Sequence, residues 1–568
     1  MNGLILKMKS WIEADARPEI AALPSKHWAV ERLVLVVVAL LVMCANLPFW
    51  QTALAGRSLH DPKTWMFVGS AAILIACLHA VPALILSTRF TVRPVLILFV
   101  LSALIGQHMM RQYGVVLDPS MLRNALRTDV REASELMTPS FLVNVCVASV
   151  AAVAIWRVPL RLRPWRRALG VRVLTVAGVS VAGIVALLIG FQDFSSTMRN
   201  QKELRYRITP ANIIYSGSRA LAGDLRSVAR VAEPLMPIRT AGAAVGRKPR
   251  LLVLIVGETA RAMNFSLNGY PRPTNPELSK RPIINFPQTS ACGTSTEVSL
   301  PCMFSSQGRA AYDEVHIRAS ESLIQLLARA GMRVVWLDNQ SGCKSVCAGV
   351  ESKDLTSSSM NSQLCPGKRC FDGVLVEGLR EIVDGASKKP AQDTVVVLHQ
   401  LGNHGPAYAK RYPPQFAQFQ PECKKAELRD CSREEIVNAY DNAILYTDHI
   451  IASTMDMLAE QESHFDVGMI YVSDHGESLG EKGLYLHGMP YAIAPQEQLA
   501  VPMAWWFGGT GARGWGGVDE ACLRLRAAQP AHHDNLFHSV LGLFNIETAH
   551  YVPDRDLISA CRQPQSAH

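Results

Sequence analysis

Charge is scarce in this chain. Asp, Glu, Lys and Arg supply 18% of its 568 residues and hydrophobic residues 49%, a balance that argues against a wholly soluble protein. The apolar run 171–191 carries no charge from residue 173 onward, and the segment Arg157–Arg172 carries six arginines without one acid. A small-residue cleavage site is missing from the first apolar run, which reads as a retained anchor rather than a removed signal peptide. Histidines are missing between the close cysteine pairs, so no tetrahedral structural zinc set is completed there.

What is present divides the chain. Five apolar runs, at 33–48, 65–86, 94–110, 141–156 and 171–191, each approach the roughly 20 residues of a spanning helix. Five membrane helices are therefore expected. Lys and Arg stay on the cytoplasmic side, which puts the arginine-rich loop 157–172 and the turn 87–94, with Arg89 and Arg93, inside. The connection 107–139 mixes both signs of charge and belongs outside. An odd number of spans then places everything after about residue 192 in a periplasm-like space.

Cysteine usage is an independent test of that topology. Cys44, Cys77 and Cys146 lie in apolar runs, whereas ten others follow residue 290. An even number in short-spaced pairs points to disulfides in an oxidising compartment. The expected pairs are Cys292–Cys302, Cys343–Cys347, Cys365–Cys370 and Cys423–Cys431, with Cys522–Cys561 left by elimination. Residues 193–250 hold eleven Lys and Arg against four acids, as suits a basic segment in the headgroup layer or a solvated linker, tapering into AGAAVG at 241–246. Three parts are thus expected: a membrane domain at 1–192, a bridging segment at 193–247 and a catalytic domain at 248–568.

In the last part, short apolar stretches at 250–256, 332–337, 393–398 and 466–472 read as buried parallel strands. Helical segments near 319–330, 372–384 and 433–461 intervene. This pattern predicts an α/β domain with helices on both sheet faces. Ligands in such sheets bind beyond the carboxyl ends of the strands. There the sequence places Gly257-Glu258-Thr259, Asp338 to Lys344, His399 to Gly405, and Ser473-Asp474-His475-Gly476-Glu477. Acids and histidines gathered at four strand ends predict a metal site. Zinc suits mixed imidazole and carboxylate better than magnesium or calcium, which prefer oxygen alone. Glu258, Asp474 and His475 would be three ligands, with an open fourth position.

The loop ACGTSTEVSLPC at 291–302 offers a hydroxyl for that position. A cation stabilises the deprotonated oxygen and turns a weak nucleophile into a strong one. Position alone leaves Thr294, Ser295, Thr296 and Ser299 as candidates.

The motifs GETAR at 257–261, NGYPRPTNP at 268–276, CGTSTEVSLPCMFS at 292–305, NHGPAYAKRYP at 403–413 and SDHGESLGEKGLYLHGMPYAIAP at 473–495 together resemble the phosphoethanolamine transferases of Gram-negative inner membranes. That group includes the lipid A and mobile colistin-resistance types, within the alkaline phosphatase-like superfamily. The resemblance spans almost the whole chain and implies five membrane helices with a periplasmic catalytic domain. It implies Thr296 as nucleophile, and zinc held by Glu258, Thr296, Asp474 and His475. His404 and His487 would contact substrate phosphate, assist the leaving group or help bind a second zinc. Lys344 matches a headgroup-site lysine, and Gln340 stands where asparagine is common. Asn124 and Glu132 match an outer-surface loop that would bind the donor's ammonium or orient the two domains, although an N-capping role fits equally. Glu297 departs from the small residue usual after the nucleophile and is expected to face solvent.

The implied reaction moves phosphoethanolamine from phosphatidylethanolamine to lipid A, another lipopolysaccharide or a protein acceptor. It would lower negative surface charge and weaken binding of polymyxin-like cationic peptides. The formal charge of +9 favours an anionic acceptor. A monomer is expected, with no nucleic-acid partner. Phosphoglycerol transfer and phosphodiester hydrolysis are the alternatives within the superfamily. A sulfatase would need a Cys- or Ser-x-Pro-x-Arg motif, which residues 292–305 lack.

Overall fold

The computed structural model describes residues 27–128, 130–161, 163–228, 239–240, 247–357, 363–367, 369–387, 392–509, 511–515 and 517–562. The expected linker at 241–246 lies outside these residues, as does the side chain of Glu132. The chain divides into two compact units: Met1–Ala45, Gly56–Leu101 and Val147–Ser195 form one, and Asn46–Ala55, Ser102–Cys146 and Ser196–His568 the other.

Among the described residues, four helices are long and apolar enough to cross a membrane: Pro62–Leu86, Val92–Tyr113, Pro139–Arg157 and Trp165–Arg199. A fifth is counted if Val30–Ala45 and Leu47–Ala53 make one span. That pair is broken at Asn46, whose side chain accepts from the Thr209 amide (2.8 Å) and donates to the Thr209 carbonyl (3.0 Å). Pro48, which has no amide hydrogen to donate, sits in the first turn of the second piece. In the basic segment, Ala211–Val228 forms a helix.

The C-terminal part is built on one eight-stranded sheet. Its strands are β1 (Arg250–Gly257), β2 (Ile284–Ser290), β3 (Arg333–Asp338), β4 (Glu351–Asp354), β5 (Thr394–His399), β6 (Asp466–Ser473), β7 (Ala500–Phe507) and β8 (Ala531–His532). Their order is β8-β2-β7-β6-β1-β5-β3-β4. From β6 to β4 every neighbour is parallel, while β7 runs antiparallel to both β6 and β2. The four strands expected from the sequence are β1, β3, β5 and β6, the central parallel set.

Alternation along β1 shows why these strands read as unbroken apolar runs. Leu252, Leu254 and Val256 pack into one core with the helices Leu323–Arg329 and Asp534–Phe544. Leu251, Val253 and Ile255 pack into the opposite core with Gly373–Ser387 and Arg433–Ala459. Both faces are covered, so neither can be polar. The parallel strands end together, and their following loops share one edge.

Candidate active site

The first ligand candidate leaves β1 immediately. Glu258 is fully buried, and the next residue, Thr259, holds a left-handed backbone (φ 59°), a conformation costly for a β-branched residue. The strain is held in place from three sides. The Thr259 amide donates to Asp474 Oδ1 (3.2 Å), its hydroxyl to Glu258 Oε1 (3.0 Å), and its carbonyl accepts from Tyr440 (2.7 Å). Gly402 (φ 53°) lies against the same turn, where a Cβ would come within 2.6 Å of the Glu258 carbonyl. Asp372 holds that loop by accepting from the Leu401 and Gly402 amides.

Asp474 and His475 follow β6, next to β1. Glu258, Asp474 and His475 are all buried, and each offers a ligand atom within 4.8 Å of the others. His475 Nε2 stands 3.4 Å from Glu258 Oε1 and 3.4 Å from Asp474 Oδ2, and the latter oxygen has no hydrogen-bond partner. Burial, followed by the neighbouring Glu258 charge, pushes the Asp474 carboxyl up to about 7. Burial opposes ionisation of Glu258 too, but the hydrogen bond and charge of His475 hold it well below the usual carboxylate range. Against burial, the two carboxylates raise His475 to about 10. Two buried carboxylates with one imidazole and an unsatisfied oxygen form a donor set that fits a divalent cation.

The hydroxyl left open by position is distinguished by geometry. Thr294 donates to the Met489 carbonyl (2.6 Å), Ser299 donates to the Asp474 carbonyl, and Ser295 is the N-cap of the helix Thr296–Met303. Thr296 alone of the four faces the carboxylate cluster, its hydroxyl 3.1 Å from each Glu258 oxygen and 3.5 Å from His475 Nε2. The Cys292–Cys302 disulfide closes this loop. His533 braces it from behind: Nδ1 accepts from the Cys292 amide (3.1 Å) and Nε2 donates to the Ser473 carbonyl (2.9 Å). Cys343–Cys347, Cys365–Cys370, Cys423–Cys431 and Cys522–Cys561 are also joined.

His404 and His487 stand together, ring centroids 5.4 Å apart, with His487 4.4 Å from His475. His487 Nδ1 donates to Glu477 Oε2 (2.8 Å), which leaves Nε2 as its free face. Burial, then the nearby His475, keeps His487 neutral by lowering its pKa. Both histidines, with Asn124, line an apolar cavity of about 280 Å³ walled by Met109, Tyr113 and Met121. Gln340 lines a different cavity, of about 480 Å³, beside Asp338. The Lys344 ammonium is turned onto the carbonyl and hydroxyl of Ser341 (2.9 and 2.8 Å).

Glu297 is a correction. Instead of facing solvent it is 1% exposed, ion-paired with Arg127 and, at 2.6 Å, with Arg318. Glu314 bridges Arg318 and Arg123 in turn, extending an alternating chain of charges from the helix Thr296–Met303 to the helix Pro119–Arg127. Burial is tolerated because two guanidinium groups and a helix N-terminus compensate the carboxylate. The sequence reading assigned no role to Thr259 or Ser473, though both stand in the strand-end segments, and did not reach His533 or Tyr440. Of these, Thr259 and Ser473 had a visible signal, being adjacent to ligand candidates.

Comparison with known proteins places this architecture in a class and then a family. Residues 250–546 match the sulfatase family model, and residues 74–225 match the model described as phosphoethanolamine transferase EptA/EptB. The phosphoethanolamine transferase EptA of Escherichia coli K12 is 37% identical over 92% of this chain and 95% of its own length. The phosphatidylethanolamine transferase Mcr-1 of Escherichia coli is 36% identical over 84% of this chain and 89% of its own. Among solved structures, the integral membrane lipooligosaccharide phosphoethanolamine transferase A of Neisseria meningitidis superposes with a TM-score of 0.88 at 34% identity, covering 94% of this chain and 99% of that one. The chain belongs to the phosphoethanolamine transferase family.

Proposed function

We propose that this enzyme transfers phosphoethanolamine from phosphatidylethanolamine to lipid A or a related lipopolysaccharide. It works as a monomer on the periplasmic face of a Gram-negative inner membrane, through a covalent intermediate on Thr296. The observation that carries this reading is the Thr296 hydroxyl, 3.1 Å from both Glu258 oxygens at the entrance of a metal-fitting cluster. The names of the relatives support the rest: one is a phosphatidylethanolamine transferase and another acts on lipooligosaccharide.

Zinc held by Glu258, Asp474, His475 and Thr296 would supply a Lewis acid that favours the ionised form of a hydroxyl. The chain's own residues do the rest. Glu258 holds the Thr296 hydroxyl in place, and the helix starting at Thr296 points its amides towards developing negative charge. The apolar cavity suits the glycerol end of a lipid, and His404 and His487 on its wall stand where the phosphate would lie. Thr296 Oγ1, already ionised, forms a bond to phosphorus as the bond from phosphorus to the glycerol oxygen breaks, and that oxygen leaves with a proton from His404. In the second step the acceptor oxygen attacks the phosphothreonine, its proton goes to the neutral His487 and from there back to His404, and the bond to Thr296 breaks, leaving its oxygen ionised as at the start. Such a sequence is ping-pong. Adding an amine to the outer surface lowers its negative charge and weakens adsorption of polymyxin-like peptides.

Intact-mass analysis of the detergent-purified protein with phosphatidylethanolamine tests the first step. An added phosphoethanolamine group, about 123 Da for the covalent adduct expected of nucleophilic catalysis, should map to Thr296 and be absent from Thr296→Ala. No adduct and no released diacylglycerol would sink the donor assignment in favour of phosphoglycerol transfer or hydrolysis.

A further inference from the structure

A second cavity, of about 640 Å³, is polar where the histidine-lined one is apolar. Its lining contains four cations, Arg111, Arg207, Arg429 and Lys482, and no carboxylate. The contributing segments come from far apart in sequence. Arg111 lies in the last turn of Val92–Tyr113, Asn144 in the second turn of Pro139–Arg157, Arg207 at the end of Lys202–Arg207, and Arg429 and Lys482 in loops after β5 and β6.

Polar groups in this wall are left open. His108, 7% exposed, has a buried Nε2 without a hydrogen-bond partner, and so do Asn144 Oδ1 and Arg207 Nε. Neither Arg111 nor Lys482 has an acceptor among the described residues. Arg429 is placed rather than neutralised: its Nε donates to the Gln112 carbonyl (2.9 Å) and its guanidinium lies 5.3 Å from the Tyr485 ring centre. Two carboxylates stand outside the lining. Glu427, held down to about 2 by hydrogen bonds from Ser140 and Thr138, is tied to the Ser140 amide (2.9 Å). Glu203 stands beside Arg207.

His108 Nε2 and Arg207 Nε are buried without a partner, and the other three cations, Arg111, Arg429 and Lys482, are exposed like charges without a lining acid, so an anion among them is favoured by both groups. Guanidinium and ammonium groups converging from several directions match the several oxygens of a phosphate. The depth of the cavity in the membrane follows from topology. It takes residues from the carboxyl end of one apolar helix and the amino end of the next, which lie at the same membrane face, where headgroups are.

We infer that this cavity is an anion site for a phosphate group, filled by the headgroup of an anionic lipid or by free phosphate, and separate from the Glu258–Asp474–His475 cluster. A phosphate held there would offset part of the charge of the four cations and join the helix ends to the loops after β5 and β6.

Native mass spectrometry of the full-length protein in detergent tests this with phosphatidylglycerol, with phosphatidylcholine as the zwitterionic control, and with inorganic phosphate as competitor. Phosphatidylglycerol should bind in preference to phosphatidylcholine, be displaced by phosphate, and bind about tenfold more weakly to Arg207→Gln, the expected loss of one charge-assisted hydrogen bond. Lys482→Gln, at an exposed position, should weaken it in the same direction and serves if Arg207→Gln does not fold. Binding of phosphate sensitive to both variants, with phosphatidylglycerol no better than phosphatidylcholine, would assign the site to free phosphate. Binding of all three ligands unchanged by the variants, or no binding, would overturn the inference. The readout is binding, so the outcome is independent of transfer from Thr296.

Discussion

Two acid–histidine groups lie at the carboxyl edge of the same sheet, and they are put together in opposite ways. After β3 and β5, Asp338 accepts from His399 Nδ1 (2.9 Å), Trp336 Nε1 (2.9 Å) and the amides of Gln340 and Gly342 (2.9 and 3.1 Å). Burial opposes its ionisation, yet the charge and hydrogen bond of His399 hold it down to about 2, and the same pairing raises His399. After β1 and β6, the carboxylates and imidazole face one another at 3.4 Å, with Asp474 Oδ2 unpaired. In the first group the carboxylate is fully satisfied and ties two strand ends together. The other leaves a carboxylate oxygen open and could hold a cation. Residue type does not separate them, because both are Asp and His at strand ends; saturation of the carboxylate oxygens does, since the unpartnered buried atom is an imidazole nitrogen, His399 Nε2, in the first group and a carboxylate oxygen, Asp474 Oδ2, in the second.

The largest expected effect comes from removing what the open group serves. Thr296→Ala should lower transfer by at least a thousandfold, the scale on which loss of an activated nucleophile acts, with zinc content and melting temperature little changed. A variant that keeps a tenth of the activity would move the nucleophile elsewhere. Disturbing the first group should instead cost stability. Asp338→Asn leaves a buried imidazole without its counter-charge, which costs about 3–5 kcal/mol, readable as a lower denaturation midpoint. Glu477→Gln comes next: it loosens the orientation of His487 and should lower turnover by about 10- to 100-fold, the usual range for a partner that orients a site imidazole, without loss of zinc. The smallest effect belongs to Glu297→Gln. With Arg127 and Arg318 left partly uncompensated, stability should fall by about 1–3 kcal/mol, and no change in melting temperature would show that this buried charge chain is not holding the helix.

Much of this was legible in the sequence, and the omissions have physical causes. The central strands announce themselves because both their faces are covered. β2 and β7 do not. β2 alternates between buried and half-exposed residues and contains Pro287, while β7 shifts register between Val501 and Met503 around Pro502. The break at Asn46 was hidden because its partner, Thr209, is 163 positions away. Glu297 was misjudged for the same reason: its partner Arg127 is 170 positions distant, and nothing local foretells burial of a carboxylate. The choice among four hydroxyls needed the carbonyls of Met489 and Asp474, which occupy Thr294 and Ser299.

The contrast between the two groups reduces to one measurement: zinc content by elemental analysis of the purified, folded full-length protein, its Asp474→Asn variant and its Asp338→Asn variant. The wild type and Asp338→Asn should retain zinc after dialysis, and Asp474→Asn should lose it. Retention by Asp474→Asn, or equal loss from both variants, would contradict the assignment of the open cluster as the metal site.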